Sequence, residues 1–390
     1  MSTIRIALIC TEKLPLPAVK GGAIQVMIDG IAPTLAERHD LTIYSICDDL
    51  LPKEEQNGRI HYIRFPRDHY YPSVIDHIKW NEYDVIHVFN RPKVVTQIRT
   101  AAPNSGIVLS LHNDMFSPMK ISKEEAKKAI EDVDAIATVS AYIQRTVTNR
   151  HKEAEGKTFV CYSGVNLHDH PDRSLPATQL LRNKWREQLG LQNKKVLLYV
   201  GRLSKTKGPH VLLQAMQSLI QEHNDLVLLI VGGKWFSDNG VNSYVRGLHE
   251  LAEPLGDHVM FTNYVPADDI PFYMLASDML VCSSQWHEPL ARIHYEAMAS
   301  MLPIVTTNRG GNQEVIFTGY NGIVIDKYYD PLSFSKVIST LFSNQQWMER
   351  FAKNGRKFVE QNFQYHHVVS RYETVYKTAY ERSSLRTIEE

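Results

Sequence analysis

Cysteine is scarce: Cys10, Cys47, Cys161 and Cys282 are the only four in 390 residues, and none stands at CxxC or other metal-ligand spacing. That spacing excludes a cysteine-based zinc site, and buried reduced thiols in a cytoplasmic protein are the expectation. Net charge is also missing, because 43 basic residues meet 43 acidic ones. A general nucleic-acid binder driven by counterion release is thereby excluded, so no nucleic-acid partner is expected. No stretch approaches the ~20 apolar residues of a membrane span, which leaves at most peripheral membrane contact. The first ten residues carry Arg5 inside a short apolar run and read as a buried strand rather than a signal peptide. The GxxxxGK[ST] order of a P-loop does not occur either.

What is present is length and alternation. A chain of 390 residues exceeds one ordinary core, so two domains are expected, 1–165 and 166–367. Apolar runs at 41–46, 60–65, 85–89, 107–111 and 135–139 read as strands, with helices such as 94–100 and 123–131 between them. A polar stretch, 162–173, reads as a linker. A second series comes after it, with strands at 196–200, 226–231, 259–262, 279–282, 304–307 and 322–325, and helices at 210–222, 243–253 and 270–276. The fold class is therefore α/β, two doubly wound Rossmann-like domains facing a central cleft. An amphipathic helix over 368–382 ends the pattern, in a terminal stretch, 368–390, that is expected to pack back on the first domain.

The richest stretch runs from Trp286 to Met298. Pro289 can open a helix, which would set Glu288 and Glu296 eight positions apart on it. They would diverge by ~80° in azimuth and lie ~12 Å apart along the axis, too far to share a proton but placed to hold two ends of one elongated ligand. The plainer alternative makes Glu288 a helix-start acid and Glu296 a paired core acid. Upstream, Gly201, Arg202, Lys205, Lys207 and Gly208 come after a strand and precede a helix, an arrangement suited to phosphate. Downstream, Gly310 and Gly311 form a second glycine loop ahead of Glu314, which either enters the same pocket or caps the next helix. Together these residues predict a crevice that is basic toward phosphates and acidic toward hydroxyls, the distribution a nucleoside diphosphate sugar offers.

In the first half, Gly21 and Gly22 lie between a strand and a helix, where backbone N–H groups can face an anion or simply make a tight turn. His112 ends another strand and either faces ligand or is structural. Asp132 and Asp134 spell a DxD, read here as a solvated turn without a catalytic metal. His69, Tyr70, Tyr71 and Met115 are candidates for contact with a second substrate.

Taken in order, these motifs resemble those of the retaining GT-B glycosyltransferases of family 4. That resemblance rests on Gly201-Arg-Leu with Lys207-Gly208, on Glu288-Pro with Glu296, and on Gly310-Gly311 with Glu314. The stretches Thr11-Glu-Lys-Leu-Pro, Gly21-Gly-Ala-Ile-Gln25, Asn90-Arg-Pro, Tyr162-Ser-Gly-Val, Lys234-Trp-Phe and Cys282-Ser-Ser-Gln-Trp286 are similar to the spore coat protein SA glycosyltransferases. The resemblance implies that Arg202 and Lys207 bind the donor diphosphate, Glu296 the ribose, and Glu288 the donor sugar. It places Gly21 and Gly22 by the distal phosphate and His112 by sugar and acceptor, so that Glu288, His112, Arg202 and Lys207 are the catalytic candidates. It implies no metal and no cofactor beyond the donor itself, a UDP-sugar by preference, with a carbohydrate or lipid-linked acceptor of the cell envelope or spore surface. Ala291 replaces the glycine frequent in the family, and Asn113 the frequent aspartate, which bears on sugar and acceptor choice rather than on reaction class.

The implied protein is a metal-independent hexosyltransferase of the cytoplasm, with the spore coat or a membrane surface as further locations. Two alternatives keep the fold and change the role: a sugar-nucleotide epimerase, and a non-catalytic coat or glycan-binding protein.

Overall fold

The computed structural model describes residues 3–234 and 240–389, with side chains through 386, and Trp235 and Phe236, which belong to one of the stretches of likeness, lie outside them. The chain divides into two units, Met1–Gly164 with Tyr365–Glu390, and Val165–Gln364. Each is an α/β sheet, as the alternating pattern predicts.

The first unit has strands β1 (Arg5–Ile9), β2 (Asp40–Ile46), β3 (Glu54–Asn57), β4 (Ile60–Phe65), β5 (Val85–Phe89), β6 (Gly106–Leu111), β7 (Ala135–Thr138) and β8 (Thr158–Val160). Its helices are α1 (Ala23–Ala36), α2 (Tyr70–Lys79), α3 (Val95–Ala101), α4 (Lys123–Asp132) and α5 (Ala141–Thr148). The order β3-β4-β2-β1-β5-β6-β7-β8 is parallel except for the β3–β4 pair. Central strands such as β5 are buried at every position because helices cover both faces, which is why their sequence is continuously apolar. Strand β3, Glu-Glu-Gln-Asn, is an exposed edge held to β4 by backbone pairing and by the polar contacts Arg64–Glu55 (2.5 Å) and His61–Glu54 (2.7 Å), so no hydrophobic signal announced it.

In the second unit α6 (Pro176–Gln188) precedes β9 (Lys195–Val200), α7 (Pro209–Glu222), β10 (Leu226–Val231), α8 (Ser243–Ala252), β11 (Val259–Asn263) and α9 (Ile270–Ala276). Then come β12 (Met279–Cys282), α10 (Ile293–Ala299), β13 (Ile304–Thr307), β14 (Gly322–Ile325), α11 (Pro331–Phe342) and α12 (Gln345–Asn362). The sheet order is β11-β10-β9-β12-β13-β14, all parallel.

A last helix, α13 (Tyr365–Glu389), belongs to the first unit. Val368, Tyr372, Val375, Tyr376 and Ala379 recur on one face and are buried with α1 residues Ile28, Ile31 and Leu35. The four cysteines are unpaired, and three of them, Cys10, Cys161 and Cys282, are buried. No helix among the described residues is long and apolar enough to cross a membrane.

Candidate functional site

In the second unit the strand order reverses between β9 and β12. Loops leaving the carboxyl ends of strands at such a switch point are where open α/β sheets receive ligands. The β9 loop carries Arg202 and Lys207, the β12 loop carries Glu288, and the β13 loop carries Gly310 and Gly311.

These loops are stitched together. Ser283 Oγ donates to the carbonyls of Lys207 (3.1 Å) and Gly208 (3.0 Å), and the Gln285 N–H donates to the Thr206 carbonyl at 2.8 Å. Thr307 Oγ1 donates to the Ser284 carbonyl at 2.8 Å, and the Gly311 N–H to the Glu288 carbonyl at 2.8 Å. Gly310 has φ +65°, and a Cβ there would stand 1.9 Å from the Glu288 carbonyl oxygen. Only glycine permits that approach, so the double-glycine signal reports loop packing against Glu288.

The helix expected to start at Pro289 starts at Ile293 instead. Residues 288–291 are held by the β13 loop, through the Gly311 bond and a 3.4 Å bond from the Ala291 N–H to Asn312 Oδ1, in place of helical bonds. The ~80° and ~12 Å relation between Glu288 and Glu296 therefore does not hold, because only Glu296 lies on α10. Its carboxylate lies 3.4 Å from Arg292 Nη2. Glu314 closes a single 3₁₀ turn, Asn312–Glu314, with its N–H donating to the Gly311 carbonyl at 2.9 Å.

Glu288 is 3% exposed. Lys207 Nζ donates to its Oε1, and Ser284 Oγ donates to the same oxygen at 2.9 Å. Burial alone would raise this carboxyl, yet the adjacent Lys207 ammonium outweighs it and holds it below the usual range. The Lys207 Nζ also lies 5.8 Å from the Trp286 ring centroid. Behind the pair, His294 is fully buried, its Nε2 2.9 Å from Thr306 Oγ1, and burial pushes it down to about 4, so it is neutral at physiological pH. The Arg202 carbonyl accepts from the Tyr199 hydroxyl at 2.9 Å, which fixes the start of the basic loop.

The chemistry available is that of a charge exchange. An ammonium with three donors gives one to a buried carboxylate, and an incoming phosphate would compete for the others.

In the first unit the corresponding switch lies between β1 and β5. Gly22, with φ +102°, is the N-cap of α1 and supplies no side-chain cap. A Cβ there would come within 2.4 Å of Gln25 Oε1 and 2.6 Å of Leu14 Cδ1. The uncapped N–H groups of this 14-residue helix suit an anion, and Gly21, at φ +72°, has open space beside it. His112 comes directly after β6, its N–H donating to Asn90 Oδ1 at 3.1 Å and its ring 5.9 Å from that of Phe89.

A charge cluster that the sequence reading did not assign stands at the same rim. Arg91 Nε and Nη2 donate to the two Glu12 oxygens at 2.8 and 2.7 Å, and the Tyr71 hydroxyl donates to Glu12 Oε2 at 2.8 Å. Burial works against the Glu12 anion, but Arg91 brings its pKa down to about 2. Its only sequence signal was that Glu12 and Arg91 fall within stretches that carry the family likeness. Ser284, Thr307 and Asn312 were also missed, since single hydroxyls and amides carry no periodicity.

Two expectations need correction. Tyr70, a candidate for substrate contact, is 1% exposed, and its hydroxyl donates to the carbonyls of Cys10 (3.0 Å) and Tyr44 (2.8 Å) as part of the core. The DxD is not a solvated turn: Asp132 and Asp134 are 8% and 3% exposed. Asp134 is bound by Arg99 Nη2 at 2.7 Å, the Ile107 N–H at 2.7 Å and Arg386, because the strand that begins at Ala135 draws it inside. Among the described residues no group of three or more His, Cys, Asp or Glu side chains is placed to hold a metal ion.

The Glycosyl transferases group 1 family model matches residues 182–358, and that of Glycosyltransferase Family 4 matches residues 21–169. The chain is 50% identical over 375 residues to a putative glycosyltransferase, YtcC, of Bacillus subtilis, covering 96% of this chain and 92% of that protein. It is 45% identical over 374 residues to spore coat protein SA of the same organism, covering 96% and 99%. Among solved structures, Anabaena Alr3699/HepE in complex with UDP superposes with a TM-score of 0.78 at 23% identity, covering 97% of this chain and 100% of that one. The same protein has also been solved with UDP-glucose, matching at a TM-score of 0.76 and 24% identity over 95% of this chain and 99% of that one. The fold is thus GT-B, and the chain belongs to the group 1, family 4 glycosyltransferases.

Proposed function

We propose that this glycosyltransferase takes its sugar from a nucleoside diphosphate donor, a UDP-hexose by preference, and transfers it with retention to a glycan or lipid-linked acceptor of the cell envelope or spore surface. The observation that carries this reading is the pairing of partly exposed Lys207 with buried Glu288 at the β9/β12 switch point. In it Lys207 and Arg202 meet the diphosphate, while Glu288, released from part of its ion pair, accepts from donor-sugar hydroxyls. Glu296 on α10 holds the ribose, Gly310 and Gly311 close the pocket, and Glu314 lines its far side. In the first unit, the α1 N-terminus at Gly21 and Gly22 suits a phosphate, and His112, directly after β6, suits a sugar hydroxyl. The likeness to HepE, solved with UDP and with UDP-glucose, supports a uridine donor. That to spore coat protein SA supports a spore-surface acceptor.

Cationic side chains and backbone amides supply the charge neutralisation, so no divalent metal is required. The test is nucleoside diphosphate release from a panel of sugar nucleotides by the purified chain, with and without EDTA. Release that survives EDTA supports the reading, and abolition by EDTA removes metal independence. Conversion of a sugar nucleotide without acceptor would instead favour the epimerase.

A further inference from the structure

The second unit has another concavity, at the opposite rim of its sheet. A cavity of about 530 Å³ opens where strands begin, lined by Lys194 and Lys195 at the start of β9, Asp278 just before β12 and Pro303 just before β13. The donor loops leave the other ends of these same parallel strands, so this cavity is separate from the site described above.

Its charge is unbalanced. Five cations, Arg173, Arg182, Lys194, Lys195 and Lys353, line it against two carboxylates, Asp278 and Glu349. That local excess stands in a chain whose formal net charge is zero. Arg173 and Arg182 spend part of their donor capacity on carbonyls at the end of α9, Leu275 among them (2.8 Å from Arg173 Nη2), and Arg182 also pairs with Asp278 at 2.5 Å. Asp278 is shared with a third guanidinium, Arg186, at 3.4 Å. Capping those carbonyls explains why arginines are here, but carbonyl dipoles do not cancel three positive charges around one carboxylate. Lys195 is turned toward Asp225 at 3.4 Å, while Lys194 and Lys353 have no ion-pair partner among the described residues.

A second observation points the same way. The Arg173 Nε–H is buried without a hydrogen-bond partner. Burial first, and then repulsion from Arg182 and Arg186, brings this guanidinium down to about 9, with only Asp278 opposing. The cluster is short of negative charge, and the cavity is where such charge can enter.

We propose that this cavity is an accessory anion site that binds a phosphate group, with Lys194 and Lys353 as its charged rim and Arg173 and Arg182 as its floor. Its volume exceeds that of a bare phosphate and suits a phosphate carried on a small organic body. Such a group comes either on a soluble phosphorylated molecule or on an anionic lipid, and the experiment separates the two.

The probe is inorganic pyrophosphate, titrated calorimetrically into the full chain, into K207A, which weakens the donor rim, and into a K207A/K194A/K353A triple variant. Binding that persists in K207A and weakens about tenfold or more in the triple variant supports the site. Thermal melts set the temperature at which both variants are folded. At that temperature, equal affinity in K207A and the triple variant, or loss of all binding in K207A, overturns it. Co-sedimentation with vesicles of equal parts phosphatidylglycerol and phosphatidylcholine then names the source. Sedimentation that K194A/K353A abolishes assigns a lipid headgroup, and pyrophosphate binding without sedimentation assigns a soluble phosphate.

Discussion

Lys207 Nζ donates to Glu288 Oε1 in the second unit, and the carboxylate that receives it is almost wholly buried. The two side chains come from loops 81 positions apart, which only the β9/β12 adjacency brings together. Their mutual neutralisation offsets the cost of burying the Glu288 charge.

Breaking the pair has a stability cost of its own. Lys207→Ala leaves Glu288 buried without its counter-charge, a loss of about 3–5 kcal/mol in urea unfolding at neutral pH. The double variant K207A/E288Q recovers most of that loss and recovers no donor binding. Recovery of both would show that the cation acts on Glu288 alone.

Gly310→Ala forces a methyl against the Glu288 carbonyl at a left-handed backbone position. The β13 loop must shift, at about 1–3 kcal/mol. Donor affinity falls with stability, whereas Gly156→Ala, also at positive φ but in open space, loses stability only. Equal donor affinity in G310A and the wild type would separate this loop from the pocket.

Glu12 sets an acid limit on the first unit. A free glutamate titrates near 4.5 and Glu12 paired with Arg91 at about 2, so between those pH values the unfolded chain takes up a proton that the folded chain does not. Stability therefore drops as pH falls from about 4.5 to about 2, and this contribution is fully present above that window. The expected share is about 1–2 kcal/mol after allowance for partial exposure. Glu12→Gln is less stable at neutral pH and flatter across the acid window when followed by urea titration. An unchanged acid slope would show that Arg91 does not hold the anion.

Asp134 is structural. Asp134→Ala strands Arg99 and Arg386 and costs about 3–5 kcal/mol, with loosened amide protection in α13, which contributes Arg386. Turnover measured below the variant's melting temperature keeps the wild-type response to added metal, and an altered metal response would restore a catalytic reading of the DxD.

Much of this was legible in the sequence wherever burial imposes pattern. Apart from β3 and β8, the two edge strands of the first sheet, the strands of both sheets announced themselves because parallel strands covered on both faces are apolar throughout, as in Val85–Phe89 and Leu226–Val231. The loop residues Lys207, Glu288, Gly310 and Gly311 were found as motifs, and the fold brings them together in one unit. What failed was local geometry that depends on distant partners. Pro289 is a good helix opener, but bonds from Gly311 and Asn312 hold that backbone in a loop, and no nearby residue signals this. Asp132 and Asp134 look like surface acids until Arg99 and Arg386, far along the chain, are seen to neutralise Asp134. Strand β3 was invisible because an edge strand of four polar residues is made by its neighbour.

The most direct test of the donor site is calorimetric titration of UDP into the wild-type chain and into K207A at neutral pH. Binding to the wild type, weakened about tenfold or more in K207A, is the predicted result. Equal affinity in the two proteins, or no UDP binding to the wild type together with binding of another nucleoside diphosphate that K207A does not weaken, would contradict it.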